Sequence, residues 1–300
     1  MSVDFGFVVN LGAKDPAGAT SLPDQNRRIL RSLRPPMTTL WVEDHFQFGD
    51  TPLLEGWTAL SVYAAEFPKL MVGTIVLGQS YRNPAMLAKM SAALQWLTGG
   101  RLILGIGAGW KEDEYKAYGY PFPVPATRIG ELDEAIQIIR KLWTEQPASF
   151  EGKYYTIKDA TCAPFPDPIP PILVGGGGEQ LTMRVVAKHA DWWNIGFAPI
   201  ERYTQKLGVL KEHLARIGRD PSTLKLTYYA QLSVSHNPAR VAPSGRLYIV
   251  GGNPEQVAAE LQQFIDVGVT HIMVRPNDFP DTETIDLFQD EVIPRLRFDA

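Results

Sequence analysis

The sequence predicts one (β/α)8 barrel spanning residues 1–300. Three observations predict it. Short apolar runs recur eight times, helical patterns follow them, and several runs end in glycines or in an acidic–histidine pair. Such barrels carry their chemistry at those strand ends.

The runs are 3–9, 39–43, 70–77, 102–106, 171–174, 192–195, 224–234 and 271–275. The third is apolar almost throughout, as a parallel strand buried on both faces requires. An open parallel sheet would show the same period. Eight alternations favour the closed form.

Between the runs lie helix signals. Asn83 is placed to cap and Pro84 to open a helix, with Leu87, Met90, Leu94 and Leu97 on one face. Ile129, Leu132, Ile136, Ile139 and Trp143 repeat the helical spacing. Asn253, Pro254 and Gln256 form a capping-box start, and Gly268 a stop.

Two stretches interrupt the rhythm. Residues 149–170 contain a hairpin pattern, Phe150 to Tyr155, and then a proline-rich run. Residues 235–252 hold a short strand at 247–250. Both insertions are expected to wall the barrel mouth, and variable surface decoration would look the same.

The bulk composition excludes several functions. A net charge of -4, with 29 basic residues scattered along the chain, gives no footprint for nucleic acid or an anionic membrane. The single cysteine, Cys162, forms no internal disulfide, and zinc-type Cys/His spacing does not occur, so no metal is expected. The start, Met1 to Phe5, lacks a basic segment followed by an apolar one, and no apolar run is long enough to span a membrane. A cytoplasmic protein is expected.

Chemistry is expected at the strand ends. Asp44 and His45 follow the second strand; a rim histidine exchanges protons near neutral pH, and a neighbouring carboxylate can tune it. A loop-bracing pair would look the same. Gly105, Gly107 and Gly109, with Ala108 and Trp110, end the fourth strand. They resemble part of a dinucleotide-binding turn but lack the acidic residue it needs downstream, and a tight rim turn also accounts for them. Gly175, Gly176, Gly177 and Gly178 run from the fifth strand into a helix read as starting at Glu179, an arrangement suited to phosphate. Asn194 on the sixth strand is a polar group for the mouth. His189, His213 and His236 show no partner pattern. His271 belongs to the barrel bottom, and Arg275 to the top. His-x-His in strand one, a G-x-S-x-G elbow and a mid-strand lysine are all missing, which disfavours binuclear hydrolase, serine hydrolase and Schiff-base chemistry.

Taken in order, these pieces resemble the luciferase-like flavin and deazaflavin oxidoreductases. The residues that carry the resemblance begin with Glu43-Asp44-His45-Phe46, Gly73-Thr74 and Arg82-Asn83-Pro84-Ala85. Gly99-Gly100-Arg101, Leu104 to Trp110 with Glu114, Arg128 and Leu142-Trp143 follow. Phe150-Glu151-Gly152 with Tyr155, Pro170-Pro171-Ile172 with the glycine run, and Ala190-Asp191 complete the set.

The resemblance implies a redox ring across the mouth, a bulge in strand three with a cis Ile75–Val76 peptide, and ring contacts from Asp44, His45, Ile75 and Val76. Gly107 to Trp110 would pack nearby, and the glycine run would hold a phosphate. It implies coenzyme F420 as cofactor, with FMN the alternative, and a homodimer. His45 and Asp44 would be the catalytic pair, Asp44 orienting His45. The implied reaction is hydride transfer between F420 and an organic small molecule. The alternatives are an FMN-dependent monooxygenase using O2 and a non-catalytic flavin-binding barrel. One departure stands out. Deazaflavin-dependent sugar-phosphate dehydrogenases of this family carry a catalytic glutamate where this chain has Trp110, which puts that substrate in doubt.

Overall fold

The structure, a computed structural model, describes residues 3–13 and 16–298, so the first two residues of the N-terminal start fall outside it. Eight parallel strands close into a ring. They are β1 (Asp4–Val8), β2 (Met37–Val42), β3 (Met71–Thr74), β4 (Leu102–Gly107), β5 (Ile172–Gly175), β6 (Trp192–Gly196), β7 (Lys225–Val234) and β8 (Val269–Pro276). Each pairs in parallel with the next, and β8 returns to β1 through Asp4 opposite His271. The barrel is therefore closed.

Most strands fall within two residues of the apolar runs. The exception is the third. β3 stops at Thr74, a cis Ile75–Val76 peptide follows, and pairing with β4 resumes only at Leu77–Gly78.

Helices cover the outside. They include α1 (Pro16–Ser32), α2 (Gly56–Glu66), α3 (Pro84–Thr98), α4 (Glu112–Ala117) and α5 (Pro125–Thr144). After β5 come α6 (Thr182–His189), α7 (Ile200–Arg216), α8 (Pro254–Asp266) and α9 (Glu283–Leu287). Asn83 caps α3 by accepting from the amides of Ala85 and Met86, and Asn253 with Gln256 forms the expected capping box on α8. Gly268 follows the end of α8 at φ +106°, a conformation glycine adopts without a Cβ clash. The face of α3 agrees with the expected one only in part. Leu87 and Leu94 are buried and Met90 is half-buried, with Ala88, Ser91, Ala92 and Gln95 completing the inward face, whereas Leu97 is 86% exposed. The i, i+3, i+4 template admits either stripe, and packing against α5 selects this one.

The two insertions behave differently. The hairpin, Ala148–Glu151 with Thr156–Ala160, lies against α5, where Glu134 accepts from the amides of Lys153, Tyr154 and Tyr155. It braces that helix and contributes no side chain to the mouth cavity, contrary to expectation. The second insertion does reach the mouth, through Arg246 and Leu247. Its strand pairs with β7 at Ile249–Gly252, two residues later than read from sequence.

A separate apolar cluster fills the barrel itself, including Val8, Trp41, Ile103, Leu173 and Met273. The floor is aromatic. His271 packs against the rings of both Trp41 and Trp192, at 5.7 and 5.5 Å. The Trp41 indole donates to Thr39 Oγ1, and that hydroxyl lies 3.1 Å from His271 Nε2. The relay suits a neutral imidazole accepting at Nε2. Complete burial, with Lys225 nearby, pushes the His271 pKa down to about 3. This is a structural histidine, as its place in the sequence implied.

Candidate active site

The strand ends of β2 to β8 converge on one cavity of about 760 Å³. Of the residues singled out above, Asp44, His45, Ile75, Val76, Gly107, Ala108, Gly109, Trp110, Gly175, Gly176 and Asn194 all line it. Gly177 and Gly178 do not. They sit behind the rim, against Ile195 and Thr182. The helix after them begins at Thr182, not at Glu179; the intervening residues form a turn, and Glu179 is tied to Lys206 at 2.6 Å.

Glycine is required at the rim because Val76 occupies the space between two strands. A Cβ on Gly107 would come within 2.8 Å of Val76, and one on Gly175 within 2.9 Å. Gly176 follows at φ +132°, which L side chains avoid. The result is a stretch of bare backbone facing the cavity.

His45 is held by Glu114. Its Nδ1 lies 3.3 Å from Glu114 Oε2, and the same oxygen accepts from the amides of Phe46 and Gln47 at 2.8 and 3.2 Å. Glu114 Oε1 accepts from the Tyr81 hydroxyl. Burial alone would raise the Glu114 pKa. The hydrogen bonds from His45, Tyr81 and the two amides outweigh it and hold the carboxyl below its ordinary range. Burial first, and then the Glu114 anion, raises the Tyr81 hydroxyl. The rings of Phe48 and Trp110 stand edge-on to the imidazole at 4.6 and 5.6 Å.

Asp44 does not orient His45 as expected. Arg82 donates to both its oxygens, at 2.8 and 2.9 Å, and the Gly78 amide donates to Oδ2 at 3.0 Å. Arg82 also reaches Glu55, the N-cap of α2. Asp44 thus ties the loop after β2 to the strand that resumes beyond the cis peptide. A neighbour in sequence was displaced by a partner 38 residues away.

Asn194 is buried, donating to Thr227 Oγ1 at 2.9 Å. Across the mouth, Arg275 donates to Glu43 at 2.9 Å, and the Tyr229 hydroxyl donates to the same carboxylate. Sequence reasoning gave no site role to Glu43, Phe48, Tyr81, Glu114, Phe197, Arg202, Tyr229 or Arg246. Arg202 carried one usable signal, since a cation in the first turn of α7 opposes the helix dipole. It lies one turn before Lys206, whose side chain packs beside Gly177.

A family model described as luciferase-like monooxygenase matches residues 37–244. The chain belongs to this luciferase-like family. Similar relatives include the F420-dependent glucose-6-phosphate dehydrogenase of Kineococcus radiotolerans, 29% identical over 87% of this chain and 89% of the relative. The enzyme of the same description from Intrasporangium calvum is 30% identical over 86% and 90%. An F420-dependent secondary alcohol dehydrogenase, solved with an F420–acetone adduct, superposes with a TM-score of 0.81 at 20% identity, over 99% of this chain and all of that one. The EDTA monooxygenase of Chelativorans sp. BNC1 gives 0.80 at 14%, over 98% and 93%. These two share the luciferase-like barrel. Among the described residues, no helix is long and apolar enough to cross a membrane.

Proposed function

We propose that this luciferase-like enzyme transfers a hydride between coenzyme F420 and a small organic substrate, with His45 handling the proton. One observation carries the reading. The His45–Glu114 pair opens onto the same cavity as the bare glycine rim, and relatives over most of the chain are F420-dependent.

The residues fit such a cofactor. The cavity has the volume of a small-molecule site. Side chains at Gly107 or Gly175 would collide with Val76, which lines the cavity. Ile75, Val76, Asp44, Gly107, Ala108, Gly109, Trp110 and Asn194 would surround the ring system. The backbone amides of the run Gly175 to Gly178, foremost Gly175 and Gly176, would hold the phosphate together with Arg202 and Arg246. Those arginines line the cavity without a carboxylate partner among the described residues. When bound, F420 supplies a two-electron hydride carrier.

The chain's own part is acid–base and positional. His45 donates its Nδ1 proton to the Glu114 anion, so Nε2 remains to give or take the proton on the substrate. Asp44 fixes the loop through Arg82. Phe48 and Trp110 flank the imidazole edge-on and hold its ring in place.

A second reading is an FMN-dependent monooxygenase that consumes O2. It is favoured by structural neighbours such as a Baeyer–Villiger monooxygenase solved with FMN. Fluorescence titration of the purified protein with F420 and with FMN, followed by oxygen-electrode measurements, separates the two. Tight FMN binding with O2 uptake and no F420 binding overturns the first. The non-catalytic alternative has little to rest on, since the chain's relatives are enzymes.

We also propose a homodimer in the cytoplasm. Exposed Met86, Trp96 and Leu97 on α3 support the dimer, and a chain with one cysteine suits a reducing compartment. Sedimentation of Leu97→Glu against wild type tests the first point.

A further inference from the structure

We infer that Tyr81 is a positioning residue that sets how strongly His45 holds its proton, acting through Glu114. This deepens the reading of His45 as the proton carrier and rests on it. Three observations carry it.

The first is the sharing of one carboxylate. The Tyr81 hydroxyl donates to Glu114 Oε1, while His45 Nδ1 lies 3.3 Å from Oε2. The two groups meet on opposite oxygens of the same anion. A donor on one oxygen draws negative charge towards itself and leaves less on the other. The doubly protonated imidazole gains most from that charge, so the tyrosine loosens its second proton.

The second is the isolation of Glu114. The carboxylate is fully buried, so the hydrogen bonds it accepts stand in for water and each one counts. Neighbouring charges are already engaged: Asp44 with Arg82, Glu43 with Arg275, and Lys111 with Asp113. Arg202 and Arg246, on α7 and the second insertion, also line the cavity and stay the same in every variant below. Among the described residues, His45 is the one side chain able to carry positive charge that pairs with Glu114. The hydrogen bonds outweigh burial and keep the carboxyl ionised while an imidazole titrates.

The third is that packing, not the hydroxyl, fixes the Tyr81 ring. The ring is buried against Phe46, Tyr115 and Tyr120, at 4.3, 4.7 and 5.1 Å. Gly78 leaves the room, since a Cβ there would come within 2.9 Å of the ring. Burial and then the Glu114 anion push the phenol upward, so it remains a donor throughout the imidazole range. The next residue, Arg82, holds Asp44, so one short turn governs both acids that flank His45 in the loop and behind it.

The test follows the His45 ring signals by NMR in the full-length protein across roughly pH 5–9, with His45→Ala to identify them. Tyr81→Phe keeps the ring and removes the donor. It should raise the titration midpoint by about half a unit or more. Replacing Tyr81 with 3-fluorotyrosine makes a stronger donor on the same ring and should lower the midpoint. A loss of packing alone would not give opposite shifts. With Glu114→Gln already in place, Tyr81→Phe should leave the midpoint where it stands. Should Tyr81→Phe fail to fold, the fluorinated protein carries the test. A midpoint unmoved in either variant that folds would overturn the inference, and so would a shift that persists without Glu114. The titration needs no cofactor, so its failure is separate from that of the F420 reading, which the fluorescence titration decides.

Discussion

Glu114 Oε2 lies 3.3 Å from His45 Nδ1 and also receives the amides of the next two residues, Phe46 and Gln47. One fully buried carboxylate therefore sets both the histidine ring and the loop that carries it. Glu114→Gln should lower kcat by about tenfold or more, with KM and F420 affinity nearly unchanged, because the acid–base group loses its orientation. The fold depresses the Glu114 pKa, so the stabilisation from its carboxylate is complete above the ordinary carboxylate range and is lost as pH falls through the lowered value. Steady-state kinetics across pH 4–8 read both effects. A rise in KM alone would count against a positioning role.

His45→Ala removes the proposed proton carrier itself. Turnover should fall by roughly 10² to 10⁴, the usual worth of general acid–base catalysis. F420 affinity should stay within about twofold. Stopped-flow absorbance of the deazaflavin separates the two, and unchanged turnover removes His45 from the chemistry.

Gly176→Val places a branched side chain at φ +132°, with its Cβ 3.0 Å from Thr182. F420 dissociation constants should rise at least about tenfold, or 1.4 kcal/mol, as the rim amides turn away. Circular dichroism should retain the barrel signal. Normal cofactor affinity would detach this turn from phosphate binding.

Arg202→Ala and Arg246→Ala should each weaken F420 binding by about fivefold at low salt, in keeping with about 1 kcal/mol for a solvent-exposed ion pair. The double variant should flatten the salt dependence, since screening acts on the interaction removed. An unaltered salt slope would place the anion elsewhere.

His271 makes acid stability testable. Its folded pKa, about 3, lies below the unfolded value, so its contribution is complete above roughly pH 6.5 and fades as pH falls towards 3. Linkage gives about 3 kcal/mol lost at pH 4 from this group. Thermal melts of His271→Gln against wild type should converge as the pH is lowered. Parallel curves would show that the imidazole does not titrate in this way.

The barrel was legible because its strands are apolar on both faces and because Asn83, Asn253 and Gly268 mark helix ends by chemistry that needs no tertiary context. The place of the rim glycines and His45 was legible for a related reason, since they stand at strand ends and those ends line the mouth of a barrel. Partnerships were not. Asp44 and His45 are adjacent, yet Arg82 takes the one and Glu114 the other, and no local period encodes contacts 38 and 69 residues apart. The start of α6 was misplaced because Glu179 and Gln180 look like a helix's first turn, whereas the backbone turns there before Thr182. Leu97 failed because two stripes of α3 satisfy the same spacing, and only its neighbour α5 distinguishes them.

The Trp41, His271 and Trp192 rings stop the barrel like a cork. With that end of the barrel filled, whatever distinguishes one family member from another is written around the mouth. Evolution can then rewrite that entrance, through an insertion here or a tryptophan for a glutamate there, while the sealed end keeps the protein folded throughout.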